Sequence, residues 1–273
     1  MKHFLIFTDL DGTLLDHYSY SWDAARPALK KIIDRGFPWV LSSSKTGAEI
    51  ESLRARLGNR HPFITENGGA VAVPSGYFGT ESENAEPILD WIRFGPDYAE
   101  LVRVIDRIRS EGGYAFCGFN DLSAAEIGRL TGLSPDDSGR AKVREASEPL
   151  VWRDSEARLL DFQACLKDQG LNLTRGGRFY HVTGQTDKAK GVQWLKQQYD
   201  RVWPERRFIS IGLGDGPNDI GMLESVDIAV VIKPARAPAL RLNTDNRVIY
   251  SEVPGPQGWC QALEQILGEC LDG

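Results

Sequence analysis

The chain has 273 residues, 41% of them hydrophobic and 26% charged, which suits a soluble globular core domain with room for a smaller insert. With 32 basic against 38 acidic residues the formal net charge is −6. No basic stripe is present, so a grip on nucleic acid through its phosphates is excluded, and any phosphate must be held by local positive charge.

Phe4 to Phe7 is a short apolar run ending at Thr8-Asp9, which reads as a buried strand. A helix is expected from about Ser21, with Ala25, Leu29, Ile32 and Ile33 on its inner face and Gly36 closing it. Trp39-Val40-Leu41 is a second strand and carries Ser42-Ser43-Ser44-Lys45 at its end. Ala48 to Leu57 is a second helix, and Phe63-Ile64 a third strand leading into the turn Glu66-Asn67-Gly68-Gly69. This alternation predicts an α/β fold, a Rossmann-like parallel sheet with helices on both faces. From about Glu81 to Gly184 the alternation is less regular. A helix over 98–110, a strand from Tyr114 to Phe119, a helix from Ser123 to Thr131, and strands at Leu150-Val151-Trp152 and Phe179 to Val182 suggest a small α+β unit inserted into the larger domain. Alternation resumes with a helix from Lys188 to Tyr199, a strand from Phe208 to Ile211 and a final strand from Asp227 to Ile232. A helix from about Gln257 ends the chain. The expected division is residues 1–84 and 184–273 for the core and 85–183 for the insert.

Cys117, Cys165, Cys260 and Cys270 are far apart and form no CxxC, so free thiols in a reducing cytoplasm are expected. The N-terminal apolar run is broken by Asp9 and Asp11, too early for a signal-peptide core. No stretch approaches the roughly 18 apolar residues that span a bilayer. A small molecule is therefore the expected partner, with neither nucleic acid nor membrane. Nothing in the sequence sets an oligomeric state.

Three polar clusters fall at the carboxyl ends of predicted strands, where ligands of open parallel sheets bind. The first is Asp9-Leu10-Asp11-Gly12-Thr13. Two carboxylates this close repel, and a hard divalent cation with oxygen ligands relieves that; Mg2+ with a substrate phosphate is the usual case. Asp9 can then attack phosphorus while Asp11 gives a proton to the leaving alcohol. The second cluster, Ser43 and Ser44 in the serine run, offers hydroxyl and N–H donors to a phosphoryl oxygen, although a serine run at such a junction also serves as a helix cap. The third is Gly214-Asp215-Gly216-Pro217-Asn218-Asp219. Asp215 can supply a further metal oxygen, with Asn218 and Asp219 orienting the metal, its waters or a lysine. Phosphoryl transfer also needs a cation for the equatorial oxygens. Lys188 heads the apolar stripe of Val192, Leu195 and Tyr199, whereas Lys190 lies on the outer face. Lys188 is the first choice and Lys190 the alternative.

These motifs, in this order, resemble the haloacid dehalogenase superfamily over nearly the whole chain. The insert resembles the larger α+β cap (C2 type) of its Cof-type branch. The resemblance implies a magnesium-dependent phosphatase with an aspartyl-phosphate intermediate. Asp9 would be the nucleophile and Asp11 the acid/base, meeting the metal through its carbonyl. Ser43 would be the phosphate-binding hydroxyl, Lys188 the charge stabiliser and Asp215 a metal ligand. One departure keeps the lysine open: the family often has glycine directly after it, and here Ala189 follows Lys188 while Gly191 follows Lys190. The segments LSSSKTGAEI, TENGGAV, REASEPLVW and GGRFYHVTG resemble the subgroup whose substrate joins mannose to phosphoglycerate. Such a substrate needs cations and hydrogen bonds beyond the metal site, and Arg144, Glu148, Arg175, Arg178 and His181 of the insert are candidates. Glu66 and Asn67, in the turn after the third strand, are further candidates. Closure of the insert over the site is expected, with hinges near Ala85 and Gly184.

Overall fold

The structure, a computed structural model, describes residues 2–79, 89–175, 178–235 and 238–269. The chain runs through β1 (His3–Thr8), α1 (Arg26–Asp34), β2 (Trp39–Ser42), α2 (Gly47–Leu57), β3 (Phe63–Thr65), β4 (Ala70–Pro74) and β5 (Leu89–Arg93). It continues with α3 (Tyr98–Gly112), β6 (Phe116–Gly118), α4 (Ala124–Thr131), α5 (Pro135–Lys142), β7 (Ser147–Trp152), α6 (Glu156–Asp168), β8 (Leu171–Arg175) and β9 (Tyr180–Gly184). It ends with α7 (Lys188–Val202), β10 (Phe208–Gly214), α8 (Ile220–Glu224), β11 (Ile228–Val231), β12 (Arg247–Tyr250) and α9 (Gln257–Glu269).

Eight strands form one sheet in the order β12-β11-β10-β1-β2-β3-β4-β5. The first six are parallel, and β4 and β5 add an antiparallel edge. Period-two alternation divides the strands between two cores. Phe4, Ile6, Trp39, Leu41, Ile211 and Leu213 pack with α1, α2 and α9 on one face. Leu5, Phe7, Val40, Ala229 and Val231 pack with α7 and α8 on the other. The expected doubly covered α/β sheet is present, with β1 and β10 central.

A second, four-stranded antiparallel sheet has the order β6-β7-β9-β8. Leu101, Ile105 and Ile108 of α3 and Phe162 and Leu166 of α6 close a separate core over it. The structure departs from the expected boundary at residue 85, because Leu89–Arg93 pairs with β4 and belongs to the large sheet. That segment is an edge strand with half-buried and exposed residues, so it carries no strong apolar alternation. β4, α5, α6, β8 and β12 likewise have no counterpart among the expected elements; α6 buries only Phe162 and Leu166. The helix expected from Ser21 begins as a 3-10 turn at Asp23–Ala25, and α1 follows with Pro27 in its first turn. The expected hinge at Ala85 lies outside the described residues. Gly184 lies against Gly95, where an added Cβ would come within 3.0 Å of the Gly95 Cα.

Candidate active site

The residues of the site leave the carboxyl ends of β1, β2 and β10. The Asp9 amide donates to the Leu213 carbonyl at 2.9 Å, which ties the end of β1 to the start of the Gly214-Asp215 turn. Carboxylate oxygens of Asp9, Asp215 and Asp219 come within 4.8 Å of one another. Gly12 stands beside them in the left-handed region (φ 85°), and a Cβ there would meet the Asp215 carboxylate at 2.6 Å. The glycine of the first motif therefore lets the two distant acidic turns touch. Thr13 Oγ1 donates to Asp215 Oδ1 at 3.2 Å.

Lys188 is fully buried at the start of α7. Its Nζ donates to Asp9 Oδ1 at 2.6 Å, Asp219 Oδ1 at 2.6 Å and the Ser42 carbonyl at 2.9 Å. Three acceptors for three donors satisfy the ammonium completely. Burial works against its charge, but the Asp219 and Asp9 carboxylates raise its pKa. Lys190 sits on the surface and donates to the Gln185 carbonyl. Asp187, and not the lysine, caps α7. Asp219 is fully buried, and its Oδ2 accepts from the amides of Asp215 and Gly216 at 3.0 Å each, which fixes the turn.

One buried cation faces three carboxylates. Burial, followed by Asp219, pushes the Asp9 pKa up to about 8 against the opposing pull of Lys188. Burial and Asp219 push Asp215 up to about 6. Both oxygens of Asp219 are engaged, and among the described residues no hydrogen bond reaches Oδ2 of Asp9 or of Asp215. This donor set, all oxygen and overcharged by itself, fits a hard divalent cation.

Asp11 stands apart from that cluster. Lys45 Nζ donates to its Oδ2 at 2.7 Å, while its buried Oδ1 has no partner among the described residues. Burial opposes the Lys45 charge, yet Asp11 beside it raises its pKa. Lys45 and Thr13 are site residues that sequence reasoning passed over. Both stood inside quoted motifs, but nothing in the spacing shows what a motif side chain will touch.

The serine run does not cap α2. Thr46 does, in a capping box with Glu49. Ser43 is left buried, its amide on the Ile64 carbonyl at 3.0 Å and its Oγ accepting from the Lys45 amide at 3.3 Å. Asn67 docks on this loop, its amide donating to the Ser43 carbonyl at 2.9 Å, and its side chain accepts from Asn218 at 3.1 Å. Ser44, Asn67 and Asn218 line a cavity of about 460 Å³ together with Thr174, Arg175 and His181 of the second sheet. Burial, with Arg144 adding to it, pushes His181 down to about 4, so its imidazole is neutral.

Other candidates lie elsewhere. Glu66 is buried, with φ 52°. Its carboxylate accepts from the amides of Glu145 (2.7 Å) and Ala146 (3.2 Å) and from Ser147 Oγ (2.6 Å). Arg144 lies 3.6 Å from it and spends its guanidinium on Ser147 and the Ala141 carbonyl. Glu148 points into the insert, accepting from Tyr98 Oη at 2.7 Å and the Asn120 amide at 2.8 Å. Arg178 donates to the Leu130 carbonyl at 3.3 Å on an exposed face. Glu66, Arg144, Glu148 and Arg178, expected as substrate contacts, are not among the residues that line this cavity. The first three are spent on buried internal bonds, and the fourth lies outside the cavity.

Residues 6–90 match the haloacid dehalogenase-like hydrolases. Two curated relatives are named glucosyl-3-phosphoglycerate/mannosyl-3-phosphoglycerate phosphatase. The one from Methanococcoides burtonii is 37% identical, covering 98% of this chain and 98% of its own. The one from Persephonella marina is 39% identical, covering 98% of this chain and 99% of its own. A solved structure from Thermoplasma acidophilum superposes with a TM-score of 0.64 at 18% identity, over 97% of this chain and 98% of that one. The chain belongs to the haloacid dehalogenase-like hydrolases. Its place among them is with the phosphatases.

Proposed function

We propose that the chain hydrolyses glucosyl- or mannosyl-3-phosphoglycerate to the glycosylglycerate and phosphate, through a phosphorylated Asp9. The convergence of Asp9, Asp215 and the saturated Lys188 at one point of the sheet rim carries the reading. The names of the two full-length relatives support the substrate.

Asp9 would attack phosphorus in line, with the donors of Ser43 and Ser44 holding the phosphoryl oxygens and the buried charge of Lys188, anchored on Asp9, Asp219 and the Ser42 carbonyl, stabilising the charge that develops there. Asp11 would protonate the leaving oxygen and then take a proton from the water that releases phosphate from Asp9. Asp9, Asp215 and the Asp11 carbonyl would hold Mg2+, which supplies neutralising charge for the phosphate. Asn218 and Asp219 would orient these groups. The sugar would occupy the cavity, where Asn67 and Asn218 offer amides and Arg175 and His181 face them. The four-stranded unit would act as a cap that closes on the core, and free thiols at Cys117, Cys165 and Cys260 suit a cytoplasmic setting.

A panel of phosphorylated metabolites, assayed with purified protein and magnesium, tests the reading. Turnover of a glycosyl-3-phosphoglycerate is expected to exceed that of plain hexose phosphates and to vanish with a chelator. A preference for a hexose phosphate would defeat the substrate assignment, and phosphate release indifferent to chelation would defeat the chemistry.

A further inference from the structure

Two lysines reach the carboxylates of the site, and they differ in one countable respect. An ammonium has three donors. Lys188 uses all three and is fully buried. Lys45 spends one, on Asp11 Oδ2, and among the described residues its other two N–H groups have no hydrogen-bond acceptor. Its side chain is 22% exposed, with the Tyr20 ring 5.5 Å from Nζ. A half-used cation at the mouth of a site is a receptor for an anion.

The position of Lys45 says which anion. Asp11 is the group proposed to protonate the leaving oxygen, so a cation 2.7 Å from Asp11 stands beside the leaving group. The phosphoryl group would sit at Asp9, beside the charge of Lys188 and the Asp9, Asp215 and Asp219 cluster, of which Lys45 is not a part. In a 3-phosphoglycerate ester the carboxylate lies two carbons from the esterified one. Of the three arginines offered by the sequence, Arg144 is buried in its own network, Arg178 lies outside the cavity, and Arg175 lines the cavity proposed for the sugar, away from Asp11 in the hydrogen-bond network.

We propose that Lys45 receives the glycerate carboxylate of the leaving group and thereby selects substrates that carry an acid beside the phosphoester. The inference rests on the phosphoglycerate reading above and adds the residue that enforces it. A charge-assisted contact of this kind is worth about 10- to 100-fold in kcat/KM.

The test uses the full chain with magnesium and two substrates, mannosyl-3-phosphoglycerate and its glycerate methyl ester. They share sugar and phosphate and differ in the one charge. The wild type is expected to prefer the free acid by about 10- to 100-fold. Lys45→Ala should bring the two substrates within about threefold, mainly by raising KM for the acid, and Lys45→Arg should restore most of the preference. A Lys45→Ala protein that loses activity equally on both, keeping the wild-type ratio, overturns the proposal, since lost positioning of Asp11 alone would do that. If Lys45→Ala fails to fold, Lys45→Gln removes the charge and keeps the stem for the same comparison. A wild type that cleaves acid and ester alike overturns the inference and leaves the phosphatase reading intact. A wild type that cleaves neither, while hydrolysing other phosphomonoesters, removes the substrate assignment as well.

Discussion

Glu66 and Asp9 are both buried carboxylates set against a buried cation, yet their surroundings are opposite. Glu66 has Arg144 at 3.6 Å, two backbone amides and the Ser147 hydroxyl. Every donor there comes from the insert and every charge has its partner. Asp9 has Lys188, but that lysine is shared with Asp219, and Asp215 crowds the same point. The first cluster is balanced and ties the turn after β3 to the insert. The second carries surplus negative charge that folding leaves uncompensated. Burial of a charge is thus no sign of function by itself; the excess over what the neighbours can neutralise is.

The contrast is sharpest at the nucleophile. Asp9→Asn keeps the size of the side chain and removes charge from an overcrowded site, so the variant should fold and melt no lower than the wild type without metal. Its kcat should fall by about 10⁴- to 10⁶-fold. Steady-state kinetics beside a melting curve checks both halves, and a variant with near-normal turnover would end the assignment.

The opposite result is expected at the balanced cluster. Glu66→Ala removes the counter-charge of Arg144 and strands three donors, and should cost about 3–5 kcal/mol of stability. Denaturant unfolding measures it. Folded variant should still hydrolyse a simple aryl phosphate in the presence of magnesium.

A smaller effect separates the clusters by pH. Asp9 and Asp215 are raised above the ordinary carboxylate value, to about 8 and about 6. The metal-free folded state therefore binds more protons than the unfolded chain from about pH 4 upward, so these groups lower stability as pH rises through that window. A cation binds the deprotonated carboxylates and relieves that loss. The rise in melting temperature produced by magnesium should grow from pH 5 to pH 8, and Glu66→Ala should show the same trend from a lower baseline. A magnesium shift independent of pH would contradict the overcharged site.

The antiparallel edge, β5 and α6 escaped the sequence because edge strands and sparsely buried helices carry little apolar periodicity. The same limit applied to side chains. The helical stripe through Val192, Leu195 and Tyr199 pointed Lys188 inward, and it lies there fully buried. No periodicity could place Lys45, whose partner is 34 residues away, or Glu66, whose partners are 79 to 81 residues away. Glu148 lies on a strand whose pattern permits either an outward ligand contact or the inward bonds it makes to Tyr98 and Asn120.

The sequence by itself determined the alternating core, the acidic strand ends and the residue types of a phosphoryl-transfer site, because these follow from local hydrophobic period and from turns that end strands. Only the tertiary structure decided which charges meet. That choice depends on how loops from β1, β2, β3, β10 and the insert come together, and a contact energy is set by distance in space, which spacing along the chain does not record.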